Sequence, residues 1–243
     1  MPTTCRLWEF DVDEPTIGHI FRELIRSLLW IALLSRPDIV NAVRAVARYC
    51  SAPKMIHWKA ALGILGYAVR TSRFFGITFQ RGTVEGFHLV SFADADYASK
   101  ATDGRSVSGG VVMCAGGSVS WYSKTQKCVT LSTTQAEYVA MSDVAKEILF
   151  LRQVWRFMLP RPGMPCIPLF EDNEGAIQIA KHPISNSNSK HIDVRHHFLR
   201  ELVERKEIEI IHVASQHQHA DFLTKALPER EFQVHRGIVM NLM

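Results

Sequence analysis

The sequence predicts an α/β protein: a five-stranded mixed sheet flanked by helices and preceded by a small helical module. Three observations predict it. Up to about residue 70 the apolar residues recur at helical spacing, whereas from Phe87 onward short runs alternate with period two. The later elements follow the order βββ-α-β-α-α-β-α, an antiparallel start followed by strands that each come after a helix. With 243 residues, 47% hydrophobic and 21% charged, the chain can bury a sizeable core.

The elements follow in order. Residues 1–16 are polar, carry Pro2 and Pro15, and read as a frayed start. A helical pattern runs from Ile17 to Leu34 and stops at the breaker Ser35-Arg36-Pro37-Asp38. Pro37 suits the first turn of a second helix reaching Cys50, with Ile39, Val43, Val46 and Ala47 on one face. After Ser51-Ala52-Pro53 a third helix covers His57 to Val69, and Phe74 to Phe79 reads as a short strand. The module ends near Gly82, dividing the chain into 1–82 and 83–243.

Beyond it, Phe87 to Tyr97, Ser106 to Cys114 and Ser118 to Ser123 read as strands, with Gly116-Gly117 as a hairpin turn. The first of these, carrying Asp94, is expected near the centre of the sheet. A long helix from Thr134 to Phe157 opens on Ser132-Thr133-Thr134 and ends before Pro160. Ile167 to Glu171 is the fourth strand, Glu174 to Lys181 a short helix, Asp193 to Arg205 another, and Ile208 to Val213 the fifth strand. Ala220 to Ala226 reads as the opening of a last helix, and Asn186 to Ser189 as a polar loop.

The net charge is +4, and its distribution is uneven. Residues 1–90 hold 11 Lys and Arg against 7 Asp and Glu; the remaining 153 hold 17 of each sign. The positive excess sits in the N-terminal third, as expected of a surface that meets phosphates, although a few solvated Arg side chains would give the same count. Five widely spaced cysteines without a C-x-x-C pair argue against a disulfide scaffold or zinc ribbon and fit a reducing compartment. No signal peptide is visible, and the apolar stretch Ile25–Leu34 is too short to span a bilayer, so an intracellular location is expected.

Four acids stand where chemistry is expected. Asp94 follows Val90 and Phe92 on one face of the first strand, placing a carboxylate on an otherwise apolar surface that needs a cation or hydrogen bonds. Glu137 lies one turn before Ala140 and Met141, near the inward side of the long helix. Asp172 follows an apolar strand at its carboxyl end, where open sheets place ligands. Asp221 directly precedes Phe222 and Leu223. Four acids from four element ends can converge to bind hard divalent cations through oxygen. Taken singly, Asp172 or Asp221 is more often a helix cap than a metal ligand, and Glu137 more often a partly exposed helix acid.

The segments SFADADYA, GRSVSGGVV, SWYSKTQKCVTLSTTQAEYVA, LFEDNEGAIQIAKHP, KHIDVRHHFLRE and HADFLTKAL resemble, in order and spacing, the ribonuclease H domain of copia-type retrotransposons. The resemblance runs from about Phe87 to Leu227 and implies the ribonuclease H-like fold. By matching motif, Asp94, Glu137, Asp172 and Asp221 take the places of the four acids that hold two Mg²⁺ ions, for which Mn²⁺ can substitute. The implied activity is cleavage of the RNA strand of an RNA–DNA hybrid by two cations about 4 Å apart, with RNA distinguished through its 2′-hydroxyls. Residues 26–79 resemble the stretch joining polymerase to nuclease in these polyproteins, so 1–82 is expected to be a helical remnant of the reverse transcriptase connection region. No Y-x-D-D polymerase signature occurs, so no DNA synthesis is expected.

Further residues carry weaker signals. Asp96 would share the face of Asp94, as a fifth site acid or a solvated strand-end acid. Ser108 and Ser132 are candidates for substrate contact through small hydroxyls, or else a turn residue and a helix cap. Lys190, His191, Asp193, Arg195 and His197 match a motif of the copia family. They read as a network joining helix to sheet, with Lys190, His191 and Arg195 as substrate-contact candidates. His217 and His219 form an H-x-H before Asp221; no catalytic role is assigned to them, and a zinc site with His212 lacks nearby cysteines.

The resemblance also carries a rival reading. Copia-like fragments occur in plant-pathogenic oomycetes, where one is known as a secreted RxLR effector that suppresses host cell death. Host proteins would then be the partners. The sequence has no strict R-x-L-R; the nearest strings begin at Arg22 and Arg26.

Overall fold

The computed structural model describes residues 6–18, 20–79, 88–99, 103–158, 165–181 and 198–242. The expected boundary at 82/83, the loop at 186–189 and the motif residues Lys190, His191, Asp193, Arg195 and His197 lie outside the described residues.

Three helices come first: α1 (Ile20–Leu34), α2 (Pro37–Ala47) and α3 (Met55–Thr71). Their buried residues fall at helical spacing, Phe21, Ile25, Leu28 and Ala32 on α1 and His57, Ala61, Ile64 and Ala68 on α3. Pro37 starts α2, where its missing N–H costs nothing. Buried Arg36, just before it, grips Asp38 with Nε at 2.8 Å and Nη2 at 2.7 Å. The Tyr67 hydroxyl donates to the same carboxylate at 2.8 Å, so the α1–α2 corner is locked onto α3.

The expected fray at the start is corrected for residues 6–18. Leu7 is buried, and buried His57 bonds the Leu7 carbonyl through Nε2 at 2.9 Å. The Lys54 ammonium donates to the carbonyls of Val12 and Glu14, tying the segment to the start of α3. Residues 74–79 are not a strand. They are held instead by side-on bonds to the chain's last turn, Thr78 N–H to Met240 C=O at 3.0 Å and Asn241 Nδ2 to Thr78 C=O at 2.9 Å.

The sheet contains β1 (Leu89–Asp96), β2 (Val107–Cys114), β3 (Gly117–Thr125), β4 (Ile167–Glu171) and β5 (Ile208–His212) in the order β3-β2-β1-β4-β5. β1 is central, antiparallel to β2 and parallel to β4. β2–β3 is an antiparallel hairpin and β4–β5 is parallel. Its turn is Ala115-Gly116, both at positive φ (52° and 81°), one residue earlier than expected. Gly117 begins β3, and its bareness serves packing: a Cβ there would sit 2.9 Å from the Thr78 carbonyl oxygen.

One face of the sheet is covered by α4 (Thr133–Met158), α5 (Glu174–Lys181) and the helical stretch 198–204, which we label α6. The other is covered by α1–α3 and the closing helix α7 (Glu229–Met240), with Phe92, Val111 and Met113 beneath them. The first helices thus supply one layer of the core. Residues 220–226 do not open the last helix. They form a 3₁₀ turn, Asp221–Leu223, and the helix starts only after Pro228. Among the described residues no helix is long and apolar enough to cross a membrane. Cys50, Cys114, Cys128 and Cys166 are free thiols.

Candidate metal centre

Period-two alternation on β1 sends Val90, Phe92 and Asp94 to the α1–α3 side, leaving Asp94 only 2% exposed at the strand's far end. Glu137, in the second turn of α4, reaches the same end of the sheet and is buried. Asp172 follows β4 directly. One carboxylate oxygen from each of these three lies within 4.8 Å of the others. Asp221 joins from the 3₁₀ turn, buried and near enough to Asp94 for the Asp94 charge to raise its pKa. The structure therefore brings all four expected acids to one end of the sheet, three as a tight cluster and the fourth beside it on the 3₁₀ turn.

Gly109 makes the fourth possible. It pairs with Asp94 in the β1–β2 register, and a Cβ there would lie 2.7 Å from Thr224 Cγ2 and 2.9 Å from Leu223 Cβ. Only a bare α-carbon lets the turn carrying Asp221 close onto the sheet.

The surrounding side chains orient these acids. Thr224 Oγ1 donates to Asp94 Oδ2, and Ser215 Oγ donates to Asp172 Oδ2 at 2.7 Å. The Lys225 ammonium lies 3.0 Å from Asp221 Oδ2. A fifth carboxyl, Glu171, is fully buried beside them, with Oε1 accepting the Asn173 N–H at 3.1 Å. Sequence reading placed Glu171 only as a strand end. The alternation Ile167, Leu169, Glu171 was the available signal, since all three are buried on one face.

So many carboxyls out of water repel one another. Burial first, and then the charges of Glu171, Asp94 and Asp172, push Glu137 up to about 11, against the pull of the Ala95 backbone N–H. Burial and the Asp94 charge push Asp221 up to about 8, opposed by Lys225. Burial raises Asp94 and Glu171 as well. Glu137 Oε2, Glu171 Oε2 and Asp221 Oδ1 are buried without a hydrogen-bond partner among the described residues. Unpaired buried carboxylate oxygens are costly. A hard divalent cation, which takes oxygen ligands, is the group that this donor set fits.

The remaining expectations divide. Asp96 shares the Asp94 face but stands outside the tight cluster; burial raises it, against a Ser99 bond and the charges of Lys225 and Arg44. Ser108 is fully buried and accepts a bond from Gln126 Nε2 at 2.9 Å. Exposed Ser132 accepts the Gln135 N–H at 3.1 Å while Gln135 Oε1 accepts the Leu131 N–H, a helix-start arrangement. His219 pairs through Nδ1 with His235 Nδ1 at 3.0 Å and packs edge-on to Phe92. Burial and the neighbouring imidazoles lower His219 to about 4. His235 on α7 was not singled out in the sequence, because its partner lies in a different element.

The strand order, the helices on both faces and the acids at one end of the central strand define a ribonuclease H-like α/β domain. No protein-family model matches the chain. It is 33% identical over 221 residues, 90% of its length, to the retrovirus-related Pol polyprotein of transposon TNT 1-94 from Nicotiana tabacum, of which it spans 16%. It is 35% identical over 128 residues to secreted RxLR effector protein 161 of Plasmopara viticola, covering 87% of that protein. The N-terminal RNase H domain of rv2228c from Mycobacterium tuberculosis overlays 62% of the chain and 96% of itself at 14% identity, with a TM-score of 0.43. The chain belongs to the copia-type family of retrotransposon Pol proteins, matching its ribonuclease H domain and the C-terminal remnant of reverse transcriptase before it.

Proposed function

We propose that the chain is an endonuclease that hydrolyses the RNA strand of RNA–DNA hybrids with two bound Mg²⁺ ions, Mn²⁺ substituting. The observation that carries this reading is the convergence of Asp94, Glu137 and Asp172 within 4.8 Å, with buried carboxylate oxygens nearby left unpartnered. Asp94, Glu137, Asp172 and Asp221 would hold the cations. Bound there, the metal ions supply a water nucleophile at neutral pH and stabilise the leaving oxygen of an in-line displacement. The protein's own side chains prepare the place. Thr224 and Ser215 fix the Asp94 and Asp172 carboxylates. Lys225 tempers the negative charge that would otherwise repel a phosphodiester. The remnant helices carry the basic excess and complete the second core layer. This reading goes with action inside the cell, in cytoplasm or nucleus.

The test uses purified chain, a labelled RNA–DNA hybrid and Mg²⁺, with duplex DNA as control. The expected result is cleavage of the RNA strand alone. Asp94→Asn and Asp172→Asn keep shape and lose charge, so each should fold while activity falls by about a hundredfold or more. A wild-type protein that binds no divalent cation and leaves the hybrid intact would sink the assignment.

A second reading has one observation in its favour, the 35% identity to a protein named as a secreted RxLR effector. On that reading the fold is kept as a host-directed module, secreted into a host cell, and the acids are not needed. Expressing wild type and Asp94→Asn in plant cells separates the two: an effector phenotype that survives the substitution belongs to the second reading.

A further inference from the structure

Beside the acids a groove of about 660 Å³ opens between α2 and the segment that follows the 3₁₀ turn. It shares Thr224 and Lys225 with the acid site and continues away from it past Asn41, Arg44 and Arg48 to Trp8. Asn41 Nδ2 donates to the Lys225 carbonyl at 3.1 Å, so α2 and the acid-bearing segment form one continuous wall.

Arg44 is the telling residue. Its Nε donates to Ser123 Oγ at 2.8 Å and its Nη2 to Asn41 Oδ1 at 2.7 Å, which fixes the guanidinium plane. Its Nη1 is buried with no acceptor among the described residues. Arg48 stands one helical turn on, so two guanidinium groups line the same groove. Burial first, and then the Arg48 charge, lower Arg44 to about 10, with Asp96 opposing. Asp38, also in the lining, is already taken up by Arg36 and Tyr67. Arg44, held in place within the wall, and Arg48 and Lys225 beside it in the lining set three positive charges along the groove, where phosphate oxygens would be attracted.

We propose that this groove binds a phosphodiester of the nucleic-acid substrate, away from the bond held at the acids, with Arg48 as the phosphate ligand and Arg44 as a fixed positive charge in the wall behind it. The proposal rests on the hybrid-nuclease reading and adds to it a site contributed by the remnant helices. It predicts that affinity and its salt dependence, rather than metal binding, depend on α2.

Fluorescence anisotropy of a labelled RNA–DNA hybrid, titrated across salt with Ca²⁺ replacing Mg²⁺, reads this directly. Arg48→Gln should weaken binding several-fold and lower the log–log salt slope by about one, and the Arg44→Gln/Arg48→Gln pair by about two. Arg26→Gln, an exposed charge on α1 outside the groove, should leave both unchanged. Circular dichroism checks folding. Should the double variant unfold through loss of the Ser123 and Asn41 bonds, Arg48→Gln decides alone. Wild-type affinity and slope in Arg48→Gln, in a protein that still cleaves hybrid, overturns the groove and leaves the nuclease standing. A wild type that neither binds nor cleaves hybrid overturns both.

Discussion

Five carboxyls gathered around one strand end, four of them buried, put a pH signature on the metal-free protein. Asp221 and Glu137 titrate higher when folded than when unfolded, because burial and mutual repulsion disfavour their charged forms. Such groups stabilise the fold fully below their unfolded values, near 4, and that contribution is lost as pH rises through the folded values. Melting temperature in chelator should therefore fall as pH is raised from about 5 through 8, where Asp221 ionises. Added Mg²⁺ should flatten the slope, and Asp221→Asn should reduce it in chelator; a pH-independent melting temperature would contradict the repulsion argued for the cluster. The sequence disclosed four of these acids because each stands at an element boundary beside an apolar run. Glu171 and the bonds from Thr224 and Ser215 stayed hidden, since they depend on how separate elements meet.

At the scale of elements, legibility followed the strength of the apolar period. The β1–β2–β3 meander, α4 and β4 were readable within a residue or two because their alternation or helical stripe is clean. α7 was not, because its buried face is His235, Val239 and Met240, a weak apolar stripe that includes a polar ring. Phe222 and Leu223 imitated a helix start, yet Pro228 lies too close downstream for a helix to continue. Two glycines show how element packing, rather than composition, sets tolerance. Gly109→Ala should force Thr224 and Leu223 away from β2, cost about 1–3 kcal/mol, and depress cleavage by displacing Asp221. Gly63→Ala, in α3 with nothing within 4 Å of the new carbon, should stabilise by about 0.5–1 kcal/mol. Chemical denaturation of the pair measures both, and equal effects would refute the close-approach argument.

For the whole molecule, the two-layer core changes what a truncation means. From charge alone, removing residues 1–80 is expected only to weaken hybrid binding and its salt dependence. With α1–α3 covering Phe92, Val111 and Met113, the same deletion strips one face of the sheet, so loss of cooperative unfolding is the expected outcome. A deletion variant with a sharp thermal transition near that of the full chain would show that the helices are dispensable. Point changes such as those on α2 are therefore the sounder probe of substrate contact.

The same layer holds both the first helices and the last one. Ser118 Oγ donates to the Val239 carbonyl at 2.6 Å, and Thr78 is bonded to Met240 and Asn241. A ribosome releases the chain from its N-terminus at about 5–20 residues per second, so α7 emerges on the order of ten to forty seconds after α1. Throughout that interval the surfaces of α2 and β3 on which α7 packs stay open, so the layer that begins with α1 is closed only once residue 240 has been made.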